Sequence, residues 1–257
     1  MDAATINGCW QKTLRADALC RLLNKKWRAF VASDAYRADV EQGSQTGCYR
    51  AWIEAKAPPP LSLSVIVGEI AHDLRSALDH LVYRQAIEHV GLSKAKRKAH
   101  KITFPICDTP AAFGEAKALR YISEDTRALV EQYQPYERGD GYLAMVHWFN
   151  RLDKHRAIHP ASAFAEPVDI AQILEWNPAA ELLDQRICLK PGERLEGRAD
   201  IVWLRFASGA DPDVKMKGKP PLAISFGDAP PGLRGVPIAP TVQEVQRVIR
   251  DFRNLLR

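Results

Sequence analysis

The chain has no paired cysteine pattern. Its five cysteines, Cys9, Cys20, Cys48, Cys107 and Cys188, are odd in number, far apart and free of any CxxC spacing, which argues against a disulfide framework or a zinc ribbon and fits a reducing cytoplasm. No run of about 18 apolar residues occurs, and the opening MDAATINGCWQKTL lacks a basic start followed by an apolar stretch, so neither a membrane span nor a secretory signal is expected. G-x-S-x-G is missing, and GLRGVP does not have the spacing of a phosphate or dinucleotide loop. Serine-nucleophile and nucleotide-loop chemistry are thereby set aside, and no cofactor is expected. Internal repeats and low-complexity tracts are absent as well. With 257 residues, 46% hydrophobic and 26% charged, the chain has the composition of an ordinary folded protein and can bury a sizeable core.

Proline and glycine are also unevenly absent. Residues 10 to 40 contain neither, and Trp10, Leu14, Leu22, Trp27, Phe30 and Val31 alternate with charged residues; the spacing predicts an amphipathic helix ended by Gly43 and Gly47. YRAWIEA reads as a short strand broken by the prolines at 58 to 60. Residues 61 to 90 lack proline and predict a second long helix with Gly91 as its C-cap. TFPICD reads as an extended piece, Pro110 and Ser123 as helix starts, and YLAMVHWFNRLDKHRAI as a further helix. Beyond Pro160, RICLK, ADIVWLRFA and PLAISFGD lie between Gly and Pro turns, the pattern of strands. The closing TVQEVQRVIRDFRNLLR spaces Val242, Val245, Ile249, Phe252 and Leu256 as a buried stripe, with Thr241 as a cap. The expected fold is α+β: a predominantly helical bundle body over residues 1–160, then a small, mostly antiparallel sheet and a C-terminal helix that packs back on the body over 161–257.

What the second helix does contain is unusual. EIAHDLRSALDH, residues 69 to 80, carries two histidines, two aspartates, a glutamate and an arginine. On a helical wheel Val67, Ile70, Leu74, Ala77, Leu78 and Leu81 form one side. Glu69, His72, Arg75, Ser76, Asp79, His80 and Tyr83 form the other. Arg75 and Asp79 are four apart and can pair. Such a set suits metal-independent RNA cleavage, which needs a base for the ribose 2′-hydroxyl, an acid for the leaving oxygen and a cation over the phosphate. His80 and Arg75 supply those chemistries. Asp79 would orient the imidazole or the guanidinium, and Ser76 would add a phosphate donor.

RSALDH, Arg75 to His80, resembles the R-x4-6-H signature of HEPN domains, a helical family that includes many bacterial toxin and defence ribonucleases. RQAIEH, Arg84 to His89, matches the same pattern, but only Arg75 lies among convergent polar groups. The strings GEIAHDLRSALDHLVY, ITFPI and NRLDKHR, in that order, resemble a recurring bacterial protein type over roughly residues 60 to 160. The HEPN resemblance implies an RNA-binding protein, an endoribonuclease that needs no metal, and a site shared across a homodimer. The wheel agrees with sharing, because Arg75 and His80 lie about 140° apart and one helix does not easily aim both at one phosphorus.

NRLDKHRAIH forms a second constellation, with Arg151, Lys154, His155 and Arg156 as a phosphate-binding rim or, more simply, as cations favouring the helix C-terminal dipole. Three further readings stand beside the nuclease. Glu69 and His72 form E-x-x-H, half of a di-iron ligand set, without the second half. Arg75 can instead be a buried polar lock, bridged to Asp153 while His72 and His80 serve neighbouring carbonyls, in a non-catalytic helical interaction protein. Finally, SKAKRKAHK, Ser93 to Lys101, packs five Lys and Arg into nine residues without an acid. It is either a solvated helix end or a phosphate grip.

Overall fold

The computed structural model describes residues 3–155, 161–209, 211–226, 230, 233 and 238–255. The chain is α+β and forms two compact units. One comprises Met1–Asn24, Ser62–His159 and Ala229–Arg257, the other Lys25–Leu61 and Pro160–Asp228. The units therefore cut across a linear division at residue 160. The sheet takes its first hairpin from the amino-terminal third of the chain, whose local pattern gave no sign of its distant partner.

α1 (Ala3–Ala32) runs through the first unit and into the second. Its buried positions Ile6, Cys9, Thr13, Ala16, Cys20, Leu23 and Trp27 recur at alternating spacings of three and four, the period of a helix seam. The expected stripe differed: Leu14 and Leu22 are 42% and 40% exposed. The inner face includes the small residues Cys9, Thr13, Ala16 and Cys20, so side-chain size does not mark it. Burial pushes the Cys9 and Cys20 thiols up to about 11, making them inert core groups. The helix also stops earlier than expected. Ser33 accepts from the Ala35 amide and donates to the Phe30 carbonyl, and β1 (Tyr36–Gln42) follows.

The second unit is built on an antiparallel sheet of β1, β2 (Cys48–Ala55), β5 (Leu182–Ile187) and β6 (Arg198–Phe206) in the order β1-β2-β6-β5. β3 (Ala161–Ala165) with β8 (Leu222–Phe226) and β4 (Leu174–Glu175) with β7 (Lys215–Met216) form two further ribbons, and the short α8 (Ile170–Ile173) leads directly into β4. Gly47 closes the first hairpin at φ +78, where a Cβ would meet the Phe206 carbonyl oxygen at 2.8 Å; only glycine fits. Trp52 lies between the guanidiniums of Arg37 and Arg198, 5.5 and 4.0 Å from its ring centre. β2 and β6 bury Ile53, Ile201 and Val202 within the unit.

The first unit is helical: α2 (Leu61–Val90), α3 (Leu92–Arg97), α4 (Pro110–Gly114), α5 (Glu124–Gln132), α6 (Pro135–Arg138), α7 (Tyr142–His155) and α9 (Ile238–Asn254) join the start of α1. The expected caps are in place, Thr109 accepting from the Ala112 amide at 3.2 Å and Ser123 from the Thr126 amide at 3.2 Å. α9 begins at Ile238, ahead of the expected cap, so Thr241 is a buried interior residue and not its cap. Its stripe Val242, Val245, Val248, Ile249 and Phe252 is fully buried, while Leu256 falls outside the described residues. Tyr133 donates to Asp251, and Arg138 reaches the buried Glu244 at 3.1 Å, fixing α9 to α5 and α6. Ile70 and Leu74 of α2, Met145 and Phe149 of α7 and Thr241 of α9 line one small apolar pocket, so these three helices meet. Among the described residues no helix is long and apolar enough to cross a membrane.

Candidate functional site

The polar side of α2 does not face solvent as a unit. Arg75 is buried, its side chain only 9% exposed, whereas His72 and His80 are exposed and Ser76 is half-buried. The cause is the segment after α3. In ITFPIC, Pro105 holds Phe104 away from helical backbone, and the segment buries Ile102, Phe104 and Pro105 while Thr103 stays exposed, without pairing with a strand among the described residues. Ile102 and Phe104 are 2% and 0% exposed. A buried extended peptide must still satisfy its N–H and C=O.

Three side chains do so. The Phe104 amide donates to Asp79 Oδ1 at 2.8 Å, and Arg75 Nη2 donates to the Phe104 carbonyl at 2.8 Å. Arg75 and Asp79 close the ring between themselves, with Nη2 2.9 Å from Oδ1 and Nε 3.2 Å from Oδ2. One turn of helix thus grips both polar groups of one residue, as a neighbouring strand would. Gln134, 0% exposed, repeats the arrangement further along: its Nε2 donates to the Pro105 carbonyl at 2.9 Å and its Oε1 accepts from the Cys107 amide at 2.9 Å. The expected Arg75–Asp79 pair is present. The bridge from Arg75 runs to Asp79 of its own helix and to Phe104, while the side chains of Asp153, Lys154 and His155, with Arg156 entire, lie outside the described residues.

Beside the clamp is a histidine that the sequence patterns passed over. His147, one turn before Arg151 on α7, titrates at about 4 instead of its ordinary 6.5; burial lowers it most, then the charges of Arg75 and Arg151, with Asp108 opposing. The i, i+4 relation of His147 to Arg151 is legible in VHWFNR, but the burial that sets this histidine apart is not. Arg75 Nη1 is buried without a hydrogen-bond partner among the described residues. Arg151 itself is exposed.

The neutral His147 ring has a measurable consequence. The unfolded chain takes up the proton near 6.5 and the folded chain only near 4. The stability that this ring contributes is therefore fully present above about pH 6.5 and is lost as pH falls toward 4. Discounted for its partial exposure, the loss should reach about 1 to 2 kcal/mol. Melting curves at pH 7 and pH 5 should show a larger drop for the native chain than for His147→Gln; equal drops would remove His147 from the account.

The remaining groups separate. Glu69 is exposed, and Asp73 is engaged by Arg15 at 3.2 Å and Lys12 at 3.9 Å; among the described residues no three of His, Cys, Asp and Glu come together as a metal site. Arg84 of RQAIEH pairs with Glu88 at 3.6 Å, and His89 is exposed. Compared with protein-family models, curated proteins and solved structures, the chain matches none of them.

Proposed function

We propose that this chain is a non-catalytic helical interaction protein in which the HEPN-like string RSALDH acts as a buried polar lock. The observation that carries the reading is the two-point grip of Arg75 and Asp79 on Phe104. A phosphate clamp needs its guanidinium free to meet the ligand, and here two of the three nitrogens are already committed inside the fold. His80, facing solvent without a hydrogen bond to another described residue, has neither orienting partner nor enclosure.

The alternative of a metal-independent endoribonuclease of a toxin or defence system has two observations in its favour. Arg75 Nη1 has no partner among the described residues, and the neutral His147 carries the electrostatic imprint of Arg75 and Arg151. In that reading a homodimer brings His80 of one copy toward the cations of the other, with Arg151, Lys154, His155 and Arg156 as the substrate rim.

A cleavage assay in excess EDTA separates the two. The lock predicts intact RNA and an unchanged melting temperature for His80→Ala. Cleavage that leaves a cyclic phosphate, spares DNA and falls by a factor of roughly 10² to 10⁴ in His80→Ala would reverse the choice. Cleavage abolished by EDTA and restored by Mn²⁺ would point instead to Glu69 and His72.

A further inference from the structure

We propose that β5 is the pairing edge of a dimer of this chain, joined antiparallel to β5 of a second copy about a two-fold axis at Gln185. The contact lies in the second unit and stands whichever reading of α2 holds; the HEPN resemblance would instead bring two α2 helices together. A sheet ends in two edges whose outward N–H and C=O groups lack strand partners, and folded chains commonly protect them. In the sheet β1-β2-β6-β5 the two edges differ. β1 is buried or half-buried over most of its length, whereas every residue of β5 from Leu183 to Ile187 is exposed. β5 holds no proline and no lysine to deter a partner strand. Only a bulge before Asp184 interrupts its ladder with β6.

The residues of the edge choose the partner. LDQRI, residues 183 to 187, is self-complementary when it runs against itself in the opposite direction. With Gln185 opposite Gln185, Asp184 of each copy stands opposite Arg186 of the other, and Leu183 stands opposite Ile187. Opposite-charge pairs and apolar pairs form together, the cross-strand combinations that stabilise a ladder. Sliding the strands by one residue loses both charge pairs. Sliding them by two sets Asp184 against Asp184 or Arg186 against Arg186. Within one copy neither charge has an ion-pair partner among the described residues.

Backbone and apolar surface favour the same alignment. The Cys188 amide donates to the Ile201 carbonyl of β6 at 2.9 Å. Successive residues of a strand turn their polar groups to opposite edges, so those of Gln185 and Ile187 and the Leu183 carbonyl face away from β6. Centring on Gln185 sets each Gln185 amide against the Gln185 carbonyl of the other copy, and each Ile187 amide against the other Leu183 carbonyl. Ile187 stands opposite Val202, which is 0% exposed, yet is itself 47% exposed, and Leu183 is 52% exposed. The apolar layer of the sheet thus runs out to its edge and stops in solvent, where a second copy continues it.

The test is sedimentation of the full chain from about 1 to 300 μM, a range that spans the micromolar affinity of a small interface. The native chain should pass from monomer to dimer across it. Asp184→Lys and Arg186→Glu each set like charges opposite one another at both charge pairs and should weaken the dimer about tenfold or more. Mixed in equal amounts, the two variants regain both opposite-charge pairs, and the mixture should associate as the native chain does. Gln185→Pro removes a donor that β6 does not use, so it should abolish the dimer and leave the melting temperature of the dilute monomer unchanged. Hydrogen exchange at the Gln185 and Ile187 amides of the native chain should slow as concentration rises, a readout that needs no variant. A native chain that stays monomeric throughout, a dimer that survives Gln185→Pro, or a mixture of folded charge variants no stronger than its components would each overturn the pairing. A dimer whose edge amides exchange as fast as the monomer's would overturn it too, by placing the contact elsewhere.

Discussion

Replacing Arg75 by methionine is expected to cost about 3 kcal/mol or somewhat more, toward the lower end of what breaking a buried ion pair costs, because Asp79 is 26% exposed and keeps some solvation. Methionine fills much of the volume of the arginine stem but leaves the Phe104 carbonyl without its donor and the Asp79 carboxylate without its cation. Each orphaned group carries its own desolvation cost. Asp79→Asn should be milder, since its amide oxygen can still accept from the Phe104 amide, yet it strips the countercharge from a buried guanidinium. The double variant Arg75→Met, Asp79→Leu should lose less than the two single losses added, with coupling of about 0.5 to 3 kcal/mol, since the groups act as one ring. Urea denaturation gives the energies, and hydrogen exchange at the Phe104 amide reports the grip directly. A single variant within about 0.5 kcal/mol of the native chain would show that the clamp contributes little to the fold and would remove the main support for the lock.

Phe252→Ala is expected to cost about 3 to 5 kcal/mol. Phe252 is 0% exposed and lies 6.4 Å, centre to centre, from Phe104 at a tilt of 44°. The phenyl ring is therefore the apolar backing of the same residue that Arg75 and Asp79 hold by its polar groups. Its loss leaves a void under the strap, and the amphipathic α9 would remain held by Tyr133–Asp251 and Arg138–Glu244. Because both substitutions act on Phe104, their costs should not add. An unchanged melting temperature for Phe252→Ala would mean that α9 does not close the core.

Local rules carried well where the cause is local. The cap at Ser123, the break after α2 at Gly91 and the buried stripe of α9 follow from hydroxyl chemistry, glycine backbone freedom and helix periodicity, all of which operate within a few residues. They failed where identity and burial part company. Leu14 and Leu22 looked like the inner face of α1, whereas the fold buries Cys9, Thr13, Ala16 and Cys20. Residues 36 to 40 extended a helix-like composition, but strand pairing of Tyr36 with Ala55 through Gln42 with Tyr49 outweighed it.

The candidate site divides along the same line. Sequence spacing alone sufficed to bring Arg75 and Asp79 together, because residues four apart on a helix are neighbours whatever surrounds them. It also showed that Ser93–Lys101 carries charge without an acid. What it could not supply was the environment. Whether Arg75 meets a phosphate, Asp153 or a backbone carbonyl depends on what lies against that helix, and the Phe104 peptide, 29 residues away in the chain, becomes its partner only when the core closes over ITFPIC. The partly buried setting of His147 between two arginines and Asp108 is likewise a product of packing. A side chain's chemistry is written in the sequence, but its solvation and its partners are set by the chain segments that fold against it, and those decide whether an arginine binds a ligand or holds the fold.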